Sequence, residues 1–209
     1  MRYAFHVDAV RAAEERLLAQ QSSPDQLMQL AAHAVADAAA VMLAAHPGHV
    51  MILAGSGGNG GDGLFAGALL AQQGHAVTAL VPETCHAAAR AAFEKAGGEV
   101  LKSGSTPNPN TSLPADTSLL IDAVAGLGSG RGLSGQALEV YEQATGIPVL
   151  AVDMPTGINA ETGIAACKGA VHADVTITFG WARMGHVLAA ECGQVVLADL
   201  TLPLSLIHI

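Results

Sequence analysis

The sequence Gly55-Ser56-Gly57-Gly58-Asn59-Gly60-Gly61-Asp62-Gly63 lies between a short apolar run, Val50 to Ala54, and a helical pattern from Leu64 to Gln73. Six of its nine residues are glycine, and they include the spacing G-x-G-x-x-G. A glycine-rich turn from a strand into a helix lets backbone N–H groups approach a phosphate at the positive end of the helix dipole. The spacing alone is also typical of an ordinary tight turn, so the polar exceptions Asn59 and Asp62 carry more information.

Strand and helix patterns alternate on the C-terminal side of this loop, and such alternation predicts an α/β fold whose parallel sheet has helices on both faces. The expected strands are Val50 to Ala54, Ala76 to Val81, Glu99 to Lys102, Ser118 to Ile121, Val149 to Val152, Val175 to Phe179 and Val195 to Leu200. The expected helices between them start at Leu64, Cys85 and Leu133. Two more helices are expected upstream, Val7 to Gln20 and Pro24 to Ala45, with Ser23, Pro24 and Gln26 as the capping set of the second.

Length and composition predict one cytoplasmic domain that binds a small ligand. The 209 residues suit a single large domain, and no apolar run approaches the roughly 18 residues of a membrane span. A net charge of -9 with only nine Lys and Arg residues disfavours a nucleic-acid partner. The three cysteines and nine histidines have neither the pairing of a disulfide framework nor the spacing of a zinc site.

Two further loops follow strands as the first one does. The second runs from Asp122 to Gly132 and has glycine at alternate positions, with Arg131 as its only cation, and the third runs from Asp153 to Ile158. In a doubly wound sheet, loops at the carboxyl ends of neighbouring strands meet in one crevice. The amides of the second loop, with Arg131, suit an anion, although Arg131 would serve equally as a solvated surface residue.

The carboxylates of these loops need an explanation of their own. Asp62, Asp122 and Asp153 facing one crevice would repel a pyrophosphate, and a bound cation would resolve this. Asn59, Asp122 and Thr156 supply an amide oxygen, a carboxylate and a hydroxyl, which suit a hydrated or monovalent cation better than zinc or caged calcium. The same side chains are also ordinary turn and cap residues, and composition does not choose between the two interpretations.

Two nucleotide-binding classes can be tested against the first loop. A P-loop nucleotidase needs a lysine and a Ser or Thr in register after the glycines, and neither is present. A Rossmann dehydrogenase needs an acidic residue roughly 20 residues further on for the ribose, and Glu83 lies near that position. Against a dehydrogenase, Asp62 puts a carboxylate at the helix start, where the pyrophosphate should sit.

With its loops assembled, the chain resembles the NAD(P)HX epimerase family, also known as the YjeF N-terminal domain. The resemblance runs from Leu27-Met28 through the loops to Val152-Asp153-Met154-Pro155-Thr156-Gly157, Thr176-Ile177-Thr178-Phe179-Gly180 and Gly193 to Asp199. It implies a Rossmann-like three-layer α/β/α sandwich with a mostly parallel central sheet and two N-terminal helices. The domain would occupy 1–203, leaving a C-terminal tail at 204–209, about where bacterial relatives continue into a fused dehydratase.

The resemblance also implies an activity and its partners. The family interconverts the R and S epimers of NADH and NADPH hydrated at C6 of the nicotinamide ring, as part of nicotinamide nucleotide repair, and is commonly homodimeric. Its substrates are NADHX and NADPHX, and it serves an ADP- or ATP-dependent dehydratase that repairs the S form. One potassium ion per subunit would be held by Asn59, Asp122 and Thr156. The hydrated dinucleotide would contact Gly58, Asn59, Gly60, Gly61, Asp62, Gly126, Leu127, Gly128, Ser129, Gly130, Arg131, Gly132 and Asp153.

The sequence departs from the family pattern at four positions. Gly58 replaces the first of two usual asparagines, Thr156 a usual serine, Ala32 a usual glycine, and Arg183 a usual lysine. Threonine keeps the hydroxyl of serine. Arginine stays charged at all relevant pH and cannot serve as an acid or base, so a proton-transfer role at position 183 is in question.

Asp153 is the expected acid/base group, helping the C6 hydroxyl to leave and to return on the opposite face through an iminium stabilised by the ring nitrogen. Burial and neighbouring carboxylates would raise its pKa and a nearby cation would lower it, and the sequence leaves that balance open. Two alternatives also stay open. Arg183 and Gly58 favour a non-catalytic ligand-binding or scaffold domain of the same fold, and Glu83 favours a nicotinamide-dependent dehydrogenase.

Overall fold

The computed structural model describes residues 3–103, 112–126 and 130–200. Within them the chain forms a seven-stranded sheet in which every neighbouring pair of strands is parallel. The spatial order is β3-β2-β1-β4-β5-β6-β7, with β1 (His49–Ala54), β2 (Val77–Val81), β3 (Glu99–Lys102), β4 (Thr117–Ala123), β5 (Val149–Val152), β6 (Val175–Phe179) and β7 (Gln194–Ala198). The helices are α1 (Val7–Leu18), α2 (Gln26–Ala45), α3 (Gly58–Gln72), α4 (Ala87–Lys95), α5 (Gly135–Gln143) and α6 (Met184–Leu188), with a 3₁₀ turn at Ala190–Cys192.

Alternating apolar residues of the strands build two cores, one on each face of the sheet. In β1, Val50 and Ile52 pack with α2, α3 and α4, whereas Met51 and Leu53 pack on the side of α5. Side chains of a strand point to opposite faces in turn, so a strand that is apolar throughout must be covered on both. The predicted three-layer α/β/α sandwich is confirmed, and its sheet is parallel throughout.

The order of strands reverses between β1 and β4, which are neighbours in the sheet. From β1 the chain moves outward through β2 to β3, and it then returns to the other side of β1 and continues to β7. Ligands of open α/β sheets bind at such a reversal, in the crevice outside the carboxyl ends of the strands. The loops after β1, β4 and β5 border that crevice.

The glycine-rich loop is largely helical, because α3 starts at Gly58 rather than at the expected Leu64. Gly57 caps the helix in an extended conformation, and the next turn packs tightly on the end of β1. A Cβ added at Gly60 would come 1.9 Å from the carbonyl oxygen of Gly55. The glycines therefore bring helix and strand end together, and they place Asn59 and Asp62 on the first turns of a rigid helix.

The expected capping set of α2 is wrong. The helix starts at Gln26, and its N-cap is Asp25 in a left-handed conformation with φ 60°. The side chain of Gln26 instead accepts hydrogen bonds from the backbone N–H and the hydroxyl of Ser22, at 3.0 and 2.9 Å. A local bond to the preceding turn thus competes with the capping box.

Two other features near the crevice differ from what the sequence predicts. Strand β4 continues to Ala123, so Asp122 is a strand residue that pairs with both neighbouring strands rather than the head of a loop. The sequence analysis also missed helix α6, which is only five residues long. So short a segment has too few turns to show a helical period.

Helix α2 has the length and apolar composition that would allow it to cross a membrane, with a mean hydropathy of 1.5, contrary to the expectation that no segment approaches this. Core helices of soluble proteins meet the same criterion. Here Val35, Ala39 and Leu43 are buried against the core that α2 shares with α3 and the sheet. The apolar character of α2 is used in packing along one of its faces.

Candidate active site

A cavity of about 370 Å³ lies at the carboxyl ends of the central strands. Residues of α1 and α2 form one of its walls, and the turns after β1, β4, β5 and β6 form the rest. A larger open hollow, about 570 Å³, lies near Pro148 and Asp174 at the amino ends of the strands and contains none of the predicted site residues. The predicted site therefore coincides with the smaller cavity at the reversal of strand order.

The first loop contributes only part of its residues to the cavity. Gly58, Asn59 and Asp62 line it. Gly60 packs on the end of β1, and a Cβ added at Gly61 would meet the sulfur of Met28 at 2.5 Å. The family resemblance predicts that Gly60 and Gly61 contact a ligand. In the structure both glycines instead have a packing role.

The three loops meet as predicted. The side-chain amide of Asn59 donates a hydrogen bond of 2.7 Å to the carbonyl of Val152, which ties α3 to the end of β5. Its carbonyl oxygen lies against Gly126, where an added Cβ would approach it to 2.3 Å. The hydroxyl of Thr156 accepts a hydrogen bond from the backbone N–H of Ala125 at 3.2 Å. Oxygen atoms from the first and third loops therefore converge on residues 122–126.

Asp122 lies beneath this convergence and is fully buried. Its carboxylate accepts hydrogen bonds from the N–H and the hydroxyl of Thr156, both 2.7 Å, and from the N–H of Val124 at 3.3 Å. Burial raises its pKa to about 6, although these hydrogen bonds oppose the rise. Among the described residues its hydrogen-bond donors are all neutral, so a cation here would compensate a buried negative charge.

The donor set fits a hard monovalent cation. Asn59, Asp122 and Thr156 provide an amide oxygen, a carboxylate and a hydroxyl around one loop, which is the ligand chemistry of alkali cations rather than of zinc. In the ranges that the structure describes, no group of three or more His, Cys, Asp or Glu side chains is placed to hold a metal.

Asp153 follows β5 directly and is 5% exposed at the cavity wall. Its backbone has φ 68°, a left-handed conformation that costs a non-glycine residue about 1 kcal/mol or more. Hydrogen bonds hold the residue there: its N–H donates to the carbonyl of Ile177 at 2.7 Å, and its own carbonyl accepts from Nε2 of His186 at 2.6 Å. These two hydrogen bonds thus hold Asp153 in an unfavourable backbone conformation, in which it lines the cavity.

Arg183 provides the cation of the site. It is 1% exposed and donates to Oδ1 of Asp153 at 2.5 Å and to Oε1 of Glu14 at 2.8 Å. Thr178 adds a hydroxyl hydrogen bond of 3.1 Å to the same Oδ1 atom. Burial alone would lower the pKa of Arg183, but the two carboxylates raise it above its ordinary value. The guanidinium is fixed between one carboxylate from helix α1 and one from the turn after β5.

His186 is a neutral support for this arrangement. Its Nδ1 accepts the backbone N–H of Arg183 at 2.9 Å, so its Nε2 carries the proton that it donates to the carbonyl of Asp153. Burial lowers the pKa of His186 below its ordinary value. The ring therefore fixes the backbone on both sides of the Arg183–Asp153 ion pair.

Only part of the second loop is described at the cavity. Gly126 lines the cavity, whereas Leu127, Gly128 and Ser129 lie outside the described residues. Arg131 is exposed, and Gly130 and Gly132 lie beyond the cavity lining. A Cβ at Gly132 would meet the carbonyl oxygen of Lys168 at 2.1 Å.

An apolar wall faces the charged groups. It is formed by Leu17 of α1, Leu27 and Met28 of α2, Phe179 at the end of β6 and Trp181 beyond it. Trp181, the single tryptophan of the chain, is 2% exposed. A flat apolar wall opposite buried carboxylates suits one face of a planar heterocycle.

Sequence reasoning found Asp62, Asp122 and Asp153 because they sit in or beside glycine-rich turns. It noted Arg183 only as a departure from a pattern, and it missed Glu14 and every other residue of the N-terminal wall. Nothing in the amphipathic pattern of α1 distinguishes Glu14 from its solvated neighbours, so the sequence carried no local signal for its role.

Comparison with known proteins identifies the family. Residues 24–185 match the family model described as YjeF-related protein N-terminus, and the chain belongs to this family. A bifunctional NAD(P)H-hydrate repair enzyme of Mycobacterium tuberculosis is 42% identical over 98% of the chain and 43% of its own length. The corresponding enzyme of Corynebacterium glutamicum is 37% identical over 97% of the chain and 39% of its own length. The chain thus spans about two fifths of these two relatives.

Two further known proteins align with this chain over most of its length and over most of their own. An NAD(P)H-hydrate epimerase of Microbacterium testaceum is 40% identical over 95% of the chain and 78% of its own length. The crystal structure of a yeast protein aligns with a TM-score of 0.75 at 20% identity, covering 94% of this chain and 88% of the yeast one. The yeast structure supports the fold described above.

Proposed function

We propose that this protein is an isomerase that interconverts the R and S epimers of NADH and NADPH hydrated at C6 of the nicotinamide ring. The names of its relatives support this activity. The structural observation that carries the proposal is the Asp153 carboxylate, which is buried beside Arg183 in a cavity bordered by three strand-end loops. A buried, oriented carboxylate is the group that proton exchange with a hydroxyl requires.

The cavity would hold the nicotinamide ring between its two unlike walls. Leu17, Met28 and Trp181 would pack on the ring, while Asp153 would exchange a proton with the C6 hydroxyl. The ring nitrogen donates its electron pair when the hydroxyl leaves, and the iminium that results is flat, so that water can return to either face. Arg183 holds the carboxylate in one position, which reduces the reorganisation needed during the reaction.

Potassium would bind through Asn59, Asp122 and Thr156 and would supply a positive charge beneath the dinucleotide. Asp122 and Thr156 orient the loop at 122–126 through their hydrogen bonds, and Asn59 packs against Gly126 of that loop. The proposed role of the ion is therefore to stabilise the buried carboxylate and this loop, and it leaves proton transfer to Asp153.

The proposed partners follow from the family and from one surface. Leu30 and Val41 are 40% and 74% exposed on α2, which supports a homodimer through this helix. The word "bifunctional" in the names of two relatives supports work alongside an ADP- or ATP-dependent dehydratase. A cytoplasmic location completes the proposal, since nicotinamide nucleotides are used there.

A coupled assay tests the activity. Freshly prepared R epimer is mixed with an S-specific dehydratase, and its conversion is followed with and without the protein, in potassium and in lithium buffers. Asp153→Asn should bind the hydrate, as measured by Trp181 fluorescence, yet fail to accelerate conversion. Asp116→Asn, an exposed change in the turn before β4, is the matched control. Binding without any acceleration by the unaltered protein would favour the scaffold alternative.

The dehydrogenase alternative has a separate test. Glu83 is exposed two residues beyond the end of β2, where a ribose-binding carboxylate would stand. Reduction of NAD by any of a panel of small alcohols and hydroxy acids would support that reaction class and count against epimerisation as the main activity.

A further inference from the structure

Asp62 is the one carboxyl group of the cavity to which no described residue donates a hydrogen bond. It lies in the second turn of α3, lines the cavity and is 8% exposed. A buried carboxyl without donors is costly to keep ionised. A role in binding or reacting with a ligand would explain why a carboxyl group occupies this position in the cavity.

The charged groups around Asp62 all disfavour its ionised form or are already engaged. Burial is the largest cause that raises its pKa well above the ordinary value, followed by the negative charges of Asp153 and Glu14. The nearby cation Arg183 directs its two terminal nitrogens to Asp153 and Glu14. His186, a titratable side chain behind the Arg183–Asp153 ion pair, is turned toward the backbone of Asp153.

Asp153 has the opposite surroundings. Its carboxylate accepts hydrogen bonds from the guanidinium of Arg183 and the hydroxyl of Thr178. Charge-assisted bonds of this kind are short and strong, and they hold the Asp153 carboxylate as an oriented acceptor. Two carboxyl groups of one cavity in such unlike environments are the pattern of a paired acid and base.

We propose that Asp62 is a catalytic residue, the proton donor to the departing C6 hydroxyl, and that Asp153 is the matching proton acceptor. This inference rests on the proposed epimerase function and divides between two residues the work first assigned to Asp153 alone. Both side chains line the same cavity, one from α3 and one from the turn after β5, so a ring bound there lies beside both.

The proposed steps balance. The C6–O bond breaks with its electron pair on oxygen, the oxygen takes the proton of Asp62 and leaves as water, and the lone pair of N1 forms the N1=C6 bond. A water molecule then bonds to C6 from the other face, the π electrons return to N1, and the proton released by that water goes to Asp153. Transfer of a proton from Asp153 to Asp62 through water restores the starting state, and the S-to-R reaction uses the same steps in reverse.

Asp62→Asn is the direct test, because the amide keeps the shape of the side chain but cannot give up a proton. In the coupled assay we expect a loss of roughly 100-fold or more in the R-to-S rate, with hydrate binding measured by Trp181 fluorescence changed only a few-fold. Asp116→Asn is again the matched control. A variant that epimerises at the normal rate would overturn the role of Asp62 while leaving the epimerase function intact.

The pH dependence of the unaltered protein gives a second measurement that needs no variant. The rate should fall as pH rises through the pKa of Asp62, which burial and the neighbouring carboxylates raise well above its ordinary value, because only the protonated acid can donate. A rate that does not fall as pH rises would overturn the proposal even if Asp62→Asn did not fold. Absence of any acceleration by the unaltered protein would instead overturn the proposed function, and this inference with it.

Discussion

Glu14 of α1 and Arg183 at the start of α6 are 169 positions apart in the chain, and their side chains meet at 2.8 Å. The same guanidinium holds Asp153. Burial raises the pKa of Glu14, and the charge of Arg183 opposes that rise. One buried cation therefore pairs with two carboxylates, and it ties the N-terminal helix to the turn after β5.

Replacing this cation should be strongly destabilising. Arg183→Met leaves Asp153 and Glu14 without their partner in a buried setting, and breaking a buried ion pair from one side typically costs about 3–5 kcal/mol. Urea unfolding followed by Trp181 fluorescence would measure the loss. Arg90→Met removes the exposed partner of Glu94 on α4 and should leave the unfolding midpoint nearly unchanged.

Arg183→Lys separates charge from geometry. A lysine keeps the positive charge but presents a compact ammonium in place of the planar fork that reaches two carboxylates. We expect stability between those of the unaltered protein and Arg183→Met, with epimerase activity retained because Asp153 keeps a cation nearby. A lysine variant as unstable as the methionine variant would contradict this account.

Gly126→Ala should disturb the proposed potassium site. Its Cβ would come 2.3 Å from the side-chain oxygen of Asn59, so one of the proposed ligands must move. The rise in melting temperature that potassium chloride gives over lithium chloride should shrink or vanish. The control is Gly57→Ala, in the loop after β1. Nothing lies within 4 Å of a Cβ added at Gly57. An equal potassium response in both variants would argue against ligation by Asn59.

His186 should make stability depend on pH. Burial lowers its pKa in the folded protein below the ordinary 6.5. The unfolded chain then binds the extra proton more readily, so stability falls as pH drops from about 6.5 through the lower folded pKa. His186→Asn should be less stable at neutral pH yet lose less on acidification than the unaltered protein. Paired urea titrations at pH 7.5 and at pH 5.5 would measure this, with the exposed His172→Asn as control.

Sequence patterns predicted the layers and the loops of this protein well, because strand alternation and glycine-rich turns are local properties. The three strand-end loops and the carboxylates that they carry could therefore be located in advance. Helix α3 was expected to start late because glycine has low helix propensity, and the close approach of Gly60 to Gly55 becomes visible only when β1 and α3 are packed together.

The other half of the site depends on contacts between distant segments. Glu14 reaches Arg183 only because α1 lies across the carboxyl ends of the strands, and no spacing in the sequence encodes that distance. The neutral state of His186 likewise follows from two backbone groups that the fold brings to its ring. Such features follow from tertiary packing, which single-sequence patterns do not record.

The position of Glu14 bears on how the domain should be delimited in practice. The span shared with the family begins at residue 24 and ends at residue 185. A fragment trimmed to those limits for expression or for transplantation into a fusion would discard Glu14 and Leu17 at one end and His186 at the other. It would keep the recognisable loops and lose the residues that close the cavity around them, so inactivity of such a fragment would say nothing about the intact protein.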